Sequence, residues 1–259
     1  MDLELKDKAA LVTGGSRGLG RAICVALAVE GARVAVNYAR NAAAAAETVA
    51  LIARRGGGRA VAVAGDVADE ADVRRVFDEA EAALGPLDVL VNSAGVWPTA
   101  YVKDMSAEHW DATMAVNLRG PFLTCREAVR RWLARGASSA AKCGGRIVNV
   151  SSQAAFHGST SGHADYAASK AALVTFTVSL AREVARQGIY VNAVAPGMME
   201  TDMTAEALRD DPDRYLARIP LGRIARPEEI ADTVVFLASA RASYTTGATF
   251  DVTGGMLMR

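Results

Sequence analysis

Seven short runs rich in β-branched and small apolar residues recur along the chain, at 9–14, 33–38, 60–66, 87–95, 145–152, 189–197 and 248–255. In runs such as AALVTG and GRIVNVSS the apolar residues are consecutive rather than alternate. A strand built from them has to be covered on both faces. Between them lie longer Ala-, Leu-, Arg- and Glu-rich segments with helical spacing, at 18–30, 41–55, 69–84, 106–136, 165–187 and 227–240. Strands that alternate with helices and need cover on both sides leave few topologies, because the crossovers between parallel strands are right-handed. The pattern predicts an α/β fold: one doubly wound, seven-stranded parallel sheet with helices on both faces. No Pro- or Ser-rich linker and no shift in composition divides residues 1–259, so a single domain is expected.

With 51% hydrophobic residues the chain can fill such a core, and Lys+Arg balance Asp+Glu at 29 each. No charge run marks a nucleic-acid or anionic-membrane partner. No apolar stretch reaches the roughly 18 residues that a membrane span needs. The N-terminus MDLELKDKAALVTGG mixes charges into its apolar residues and lacks a signal-peptide core. Cys24, Cys125 and Cys143 are far apart and odd in number, which predicts reduced thiols and a cytoplasmic setting. His109, His157 and His163 have no metal-ligand spacing, and no metal is expected.

The first apolar run leads straight into Thr13-Gly14-Gly15-Ser16-Arg17-Gly18-Leu19-Gly20 and then a helical segment. Glycines in that position allow a tight turn and close approach of backbone to a pyrophosphate, which the helix N-terminus favours with its free N–H groups. The spacing is one residue longer than GxGxxG, and there is no GK[ST] ending of an NTP-binding P-loop. Further on, Tyr166-Ala-Ala-Ser-Lys170 places a phenol and an ammonium four residues apart, on one face of a helix. An ammonium beside the tyrosine would favour phenolate and bring it into range for proton exchange.

TGGSRGLG, Asp66, NSAG at 92–95, Asn117, VSS at 150–152, Tyr166xxxLys170 and Pro196-Gly197 together resemble the short-chain dehydrogenase/reductase family, in order and from about residue 6 to the end. The resemblance implies a Rossmann-type fold and a nicotinamide cofactor. It also implies a homotetramer with helices near 106–135 and 165–187 and the C-terminal segment at its interfaces. By the same resemblance Tyr166 is the proton donor, Lys170 its partner and a ligand of the nicotinamide ribose, and Ser152 holds the substrate oxygen. Asn117 steadies a helix and links Lys170 to water. Ser152 precedes Tyr166 by one residue more than is common in the family; Ser151 is the alternative, and Ser159 and Ser161 read as turn residues. Asp66 is expected beside the adenine. Asn92, Ala94 and Gly95 are expected behind the adenine ring and ribose, with Pro196, Gly197 and Thr201 beside the nicotinamide. Gly14, Ser16, Arg17, Gly18, Leu19, Gly20, Asn37, Arg40 and Val67 complete the expected cofactor set.

The second strand ends Asn37-Tyr38-Ala39-Arg40 without the acidic residue that binds a free ribose 2′-hydroxyl. Arg17 and Arg40 are placed to clamp a 2′-phosphate instead, so NADP(H) is expected and NAD(H) is the alternative. PGMMETDMT, IPLGRIARPEEIADTVVFLAS and TGATFDVTGGM resemble 3-oxoacyl-(acyl carrier protein) reductases, which implies a carbonyl or alcohol substrate, with a carrier-protein or CoA thioester leading. The segment 198–218 is the expected substrate lid, with His157, His163 and Trp97 near the entrance. Against that substrate stand VWPTAYVKDM after NSAG, Gln187 where a basic residue often meets the carrier (Arg186 is adjacent), and a long loop at 136–145. Another small ketone, cyclic alcohol or sugar is the alternative substrate. A cofactor-sensing protein without turnover is the alternative class.

Overall fold

Alternation of side chains across each strand sorts the apolar runs between two helical layers. In β1 (Ala9–Thr13) Ala10 and Val12 pack on one layer and Ala9 and Leu11 on the other, all buried. The computed structural model describes residues 2–136, 145–159 and 161–258. Its other strands are β2 (Arg33–Tyr38), β3 (Ala60–Ala64), β4 (Val89–Asn92), β5 (Arg146–Val150), β6 (Tyr190–Pro196) and β7 (Thr249–Val252). All pairings are parallel and the order is β3-β2-β1-β4-β5-β6-β7. β1 therefore lies between β2, with Leu11 opposite Ala35, and β4, with Leu11 opposite Leu90. The chain reverses its direction of winding there, and a crevice opens outside the carboxyl ends of the strands.

One layer is built by α1 (Gly18–Val29), α2 (Ala42–Arg54) and α10 (Pro227–Ala238), through Ile23, Leu27, Ile52, Ile230 and Val234. The other is built by α3 (Glu70–Leu84), α5 (Gly120–Ala134) and α7 (Ala164–Val184), through Phe77, Leu84, Leu123, Trp132 and Leu180. Asn41 and Asp69 cap α2 and α3 by accepting from Ala44 N (2.9 Å) and Asp72 N (2.8 Å).

The segment 106–136, which reads as one helix, is three pieces: α4 (Ala107–Met114), a π-helical turn at Ala115–Arg119, and α5. A short α6 (Ala154–His157) follows β5, and the segment after β6 carries α8 (Ala205–Asp210) and α9 (Pro212–Leu216). The long loop expected at 136–145, with Cys143, falls mostly outside the described residues. Cys24 and Cys125 are buried free thiols; burial pushes Cys24 far up, and Cys125 up to about 12. Among the described residues no helix is long and apolar enough to cross a membrane, and no group of three or more His, Cys, Asp or Glu is set to hold a metal.

Candidate active site

The crevice is a cleft of about 1010 Å³ between the glycine-rich turn, the ends of β4 to β6, α6, the start of α7 and the segment after β6. Backbone contacts bring its walls together. Thr13 Oγ1 accepts from Ser93 N and Ala94 N, both at 3.1 Å, tying the turn after β4 to the end of β1. Gly14 (φ +65°) faces that turn so closely that a Cβ would lie 2.8 Å from Ala94 Cα. A Cβ on Gly20 would lie 2.1 Å from the Gly14 carbonyl oxygen, so only glycine lets α1 start this near β1. Arg17 holds the N-cap position of α1 without a side-chain cap bond, which leaves the helix N-terminus open to an anion. The turn is braced from behind: Arg21 donates to Ser16 O (2.9 Å) and pairs with Glu47 (2.8 Å). These residues fit a dinucleotide pyrophosphate.

The expected cofactor residues mostly meet in the cleft. Gly14, Ser16, Arg17, Gly18, Leu19 and Gly20 line one end with Arg40, Asp66 and Val67. Ala94, Gly95, Pro196, Gly197 and Thr201 line it further along. Arg17 and Arg40 are exposed and have no ion-pair partner among the described residues, in contrast to Arg21. Two residues behave differently from expectation. Asn92 does not line the cleft: its amide donates to Asn149 Oδ1 (2.9 Å) and its Oδ1 accepts from Thr124 Oγ1 (2.7 Å), inside a buried network that Asn149 continues to Thr177 (2.9 Å). Asn37 borders the cleft, but its buried amide donates to Gly65 O (3.0 Å) and Val63 O (3.3 Å), locking β2 to the end of β3.

At the other end, α7 presents Tyr166 and Lys170 from one face. Ser152 and Tyr166 line the cleft together, and the Ser152 Oγ, which accepts from Ala154 N (3.1 Å), is near enough to the Tyr166 phenol to act on its pKa. Ser151 is engaged elsewhere: its hydroxyl is buried and donates to Lys170 O (2.9 Å). Ser152 is therefore the serine that faces Tyr166. Lys170 Nζ is buried, donates to Val150 O (2.8 Å) and lies 5.7 Å from the centre of the Tyr166 ring. Burial lowers Lys170 from its ordinary 10.5 to about 8. The expected lowering of Tyr166 is not met. Burial of its hydroxyl raises the pKa, and the nearby Ser152 hydroxyl offsets this only in part.

Asn117 sits in the π-helical turn, fully buried. Its Oδ1 accepts from Val96 N (2.8 Å), and its Nδ2 donates to Val96 O (3.0 Å) and Ser169 Oγ (3.2 Å). Ser169 in turn donates to Tyr166 O (2.7 Å). Asn117 thus fixes the loop after β4 against the first turns of α7 and does not bond Lys170 directly.

The chain is similar to proteins of known class along nearly its whole length. A family model described as enoyl-(acyl carrier protein) reductase matches residues 14–257. An uncharacterised oxidoreductase, YgfF, of Escherichia coli is 45% identical over 250 residues, 95% of this chain and 98% of that protein. A 3-oxoacyl-(acyl carrier protein) reductase of Synechocystis is 43% identical over 255 residues, 98% of each chain. A short-chain type dehydrogenase/reductase of Mycobacterium marinum superposes with a TM-score of 0.92 at 34% identity, over 100% of this chain and 98% of that one.

The chain belongs to the short-chain dehydrogenase/reductase family. It is accordingly an oxidoreductase acting on CH–OH or C=O groups with a nicotinamide cofactor. In this short-chain dehydrogenase/reductase the three aromatic residues expected near the cleft entrance take different places, and a buried carboxylate lies beside Tyr166. Trp97 lines the cleft, stacks on His163 (4.3 Å between ring centres) and meets Tyr166 edge-on at 6.4 Å. His163 is buried beneath it, bonded to Pro98 O (2.9 Å), while His157 does border the cleft. Asp165, the residue before Tyr166, is wholly buried; it accepts from Thr113 Oγ1 (2.6 Å) and has His109 Nε2 at 3.3 Å. A carboxylate one residue ahead of the tyrosine, with a histidine far upstream, was the available signal, but nothing in their spacing links α4 to α7.

Proposed function

We propose that this protein is an NADPH-dependent reductase that converts a ketone to a secondary alcohol, with a 3-oxoacyl thioester as substrate. The observation that carries the reading is the grouping of Ser152, Tyr166 and Lys170, the last held by Val150 O with its Nζ 5.7 Å from the Tyr166 ring, at one end of a cleft whose other end suits a dinucleotide. Arg17 and Arg40, both free of partners, would hold the 2′-phosphate; the glycine-rich turn and the open α1 N-terminus would hold the pyrophosphate. When bound, the reduced nicotinamide supplies the hydride.

The chain's own residues govern the proton. A tyrosine whose pKa is raised by burial keeps its proton at neutral pH, which is the form an acid needs. Ser152 Oγ orients the substrate oxygen, and Tyr166 Oη delivers a proton to it. Lys170, still mostly cationic at pH 7, stabilises the phenolate left behind. Asn117, through Val96 and Ser169, positions the loop and helix that carry these groups. The segment 198–218 closes the cleft as a lid, with Met198, Met199 and Met203 offering an apolar wall to an acyl chain. The relatives named as 3-oxoacyl reductases support the thioester. Trp97, set edge-on to Tyr166, favours a compact acyl group, and a small cyclic ketone is the second reading.

The test is NADPH oxidation with acetoacetyl thioesters, cyclic ketones and sugars in parallel. Tyr166→Phe should lower kcat by about 10²–10⁴-fold, the range for a lost general acid, while NADPH still binds. Turnover of no carbonyl by the unaltered protein, with cofactor binding intact, would make it a sensor rather than an enzyme.

A further inference from the structure

The segment 198–218, after β6, is acidic overall: Glu200, Asp202, Glu206, Asp210, Asp211 and Asp213 outnumber Arg209, Arg214 and Arg218. Toward the cleft that balance reverses. Arg214 and Arg218 both line it, and of the six acids only Asp202 does. Folding accounts for this sorting. α9 continues into turns closed by Ala217 N→Asp213 O (2.9 Å) and Ile219 N→Leu216 O (3.1 Å), with Ile219 buried as the anchor. Residues four apart then share one side, and Arg214 and Arg218 stand together beside Tyr215.

Neither guanidinium has an ion-pair or hydrogen-bond partner among the described residues. Nearby Arg223, by contrast, is held by both carboxylate oxygens of Glu229 (2.6 and 2.7 Å). The Asp211 carboxylate caps α9 by accepting from Arg214 N (3.1 Å). Two planar cations with no structural task on the wall of a cleft are suited to one ligand chemistry, a phosphate taken by charge-assisted, bidentate contacts. The cofactor's own anions have separate cations in Arg17 and Arg40, on the walls formed by β1 and β2.

We propose that Arg214 and Arg218 bind a phosphate on the substrate's thiol arm, so that the substrate is a 3-oxoacyl thioester of a phosphate-bearing thiol. This rests on the thioester reading above. Phosphopantetheine carries one such phosphate, and coenzyme A adds those of its nucleotide; both share the chemistry. The acyl end then lies toward Trp97 and Tyr166, and the anionic end at the mouth under α9.

The experiment compares kcat/KM at saturating NADPH for acetoacetyl-CoA, acetoacetyl-4′-phosphopantetheine and acetoacetyl-N-acetylcysteamine, which has no phosphate. The unaltered protein should prefer the phosphate-bearing thioesters by about tenfold or more, the scale of one charge-assisted hydrogen bond. Arg214→Ala with Arg218→Ala should erase that preference through KM, while Arg214→Lys with Arg218→Lys, which keeps the charge but loses the bidentate fork, should keep only part of it. Arg209→Ala, outside the cleft, should leave the ratio unchanged, and NADPH titration shows that the variants are folded. Preference for both phosphate-bearing thioesters places the contact on the pantetheine phosphate; preference for the CoA ester alone places it on the nucleotide. Equal rates on all three thioesters, a preference that survives the double alanine variant, or a matching loss of NADPH affinity would overturn the assignment. In the first case the thioester reading stands. If no thioester is reduced but a neutral ketone is, that reading falls and this assignment with it.

Discussion

Lys170 is a buried cation whose one hydrogen-bond acceptor among the described residues is the Val150 carbonyl, and a buried cation weakens the fold that holds it. Its pKa falls from 10.5 to about 8, so the unfolded chain keeps the proton to higher pH than the folded one. The cost, about 3 kcal/mol, is complete below pH 8 and is relieved as pH rises from about 8 to 10.5. Lys170→Met should therefore stabilise the protein at pH 7 by about 1–3 kcal/mol, less whatever the orphaned Val150 carbonyl takes back. Thermal melts should show about 2–4 °C per kcal/mol for a chain of this size, with the gain shrinking toward pH 10. A gain that does not change with pH would remove the electrostatic explanation. In the unaltered enzyme, reductive kcat/KM should fall as pH passes about 8, because Lys170 then loses the charge that supports the Tyr166 phenolate. The cofactor arginines make a second residue-scale prediction. NADPH should outpace NADH, and Arg17→Ala or Arg40→Ala should each cut that ratio by about tenfold, one charge-assisted contact apiece; an unchanged ratio in both variants would rule out the clamp. These residues were legible because their chemistry and spacing are local: four positions along a helix, or a strand running into a glycine turn. Asn92 was misread for the converse reason. Its partners Thr124 and Asn149 come from other elements, and whether a polar side chain at a strand end faces the cleft or the interior is decided by packing.

At the scale of elements, the π-helical turn between α4 and α5 is what aims Asn117 at Val96. A regular helix through Ala115–Arg119 would turn that side chain to another face, since one extra residue per turn shifts the register. Asn117→Ala leaves the Val96 N–H and carbonyl without their partner, which should lower stability by about 2 kcal/mol in urea unfolding. It should also lower kcat more than it raises KM, because it frees the loop and α7 that hold Tyr166, the proposed proton donor, rather than a substrate contact. Equal activity at reduced stability would make Asn117 a purely structural residue. The sequence reads this region as one helix over 106–136, since its apolar spacing hardly changes, although Gly120-Pro121 is a visible interruption. Strand existence, order of elements and sheet class were legible for a firmer reason: residues apolar on both faces have no other stable place. Strand ends were less so. The runs 60–66, 87–95 and 248–255 shorten to Ala60–Ala64, Val89–Asn92 and Thr249–Val252. The leftover Gly65-Asp66 and Ser93-Ala94-Gly95 leave the sheet to line the cleft, so apolar or small residues there serve the site rather than the ladder.

At the scale of the whole molecule, the apolar surface of the described residues includes two patches on different elements. One is on α4 and α5, where Trp110 and Phe122 are 38% and 41% exposed and Phe122 borders a shallow depression with Met114 and Leu118. Phe122 is held ready there by an edge-on contact with Phe176 of α7 (6.2 Å) and by Arg126 over its ring (5.2 Å). The other surrounds the C-terminal turn, where Leu221 is 67% and Met258 74% exposed and Leu221 N donates to Gly254 O (3.1 Å). Large side chains exposed in clusters mark interaction surfaces. We propose that each patch pairs with its own copy; two such sets of isologous contacts would close into a tetramer with dihedral symmetry. We expect sedimentation equilibrium to give four chains of 27.1 kDa. Phe122→Arg should stop assembly at the dimer held by the C-terminal patch, and Met258→Arg with Leu221→Arg at the dimer held by α4 and α5. The two variants together should yield monomers. Since α5 and α7 also carry the catalytic side of the sheet, the Phe122 variant should lose more activity than the C-terminal one at equal cofactor saturation. A stable monomer of the unaltered chain at micromolar concentration would leave both patches without this explanation.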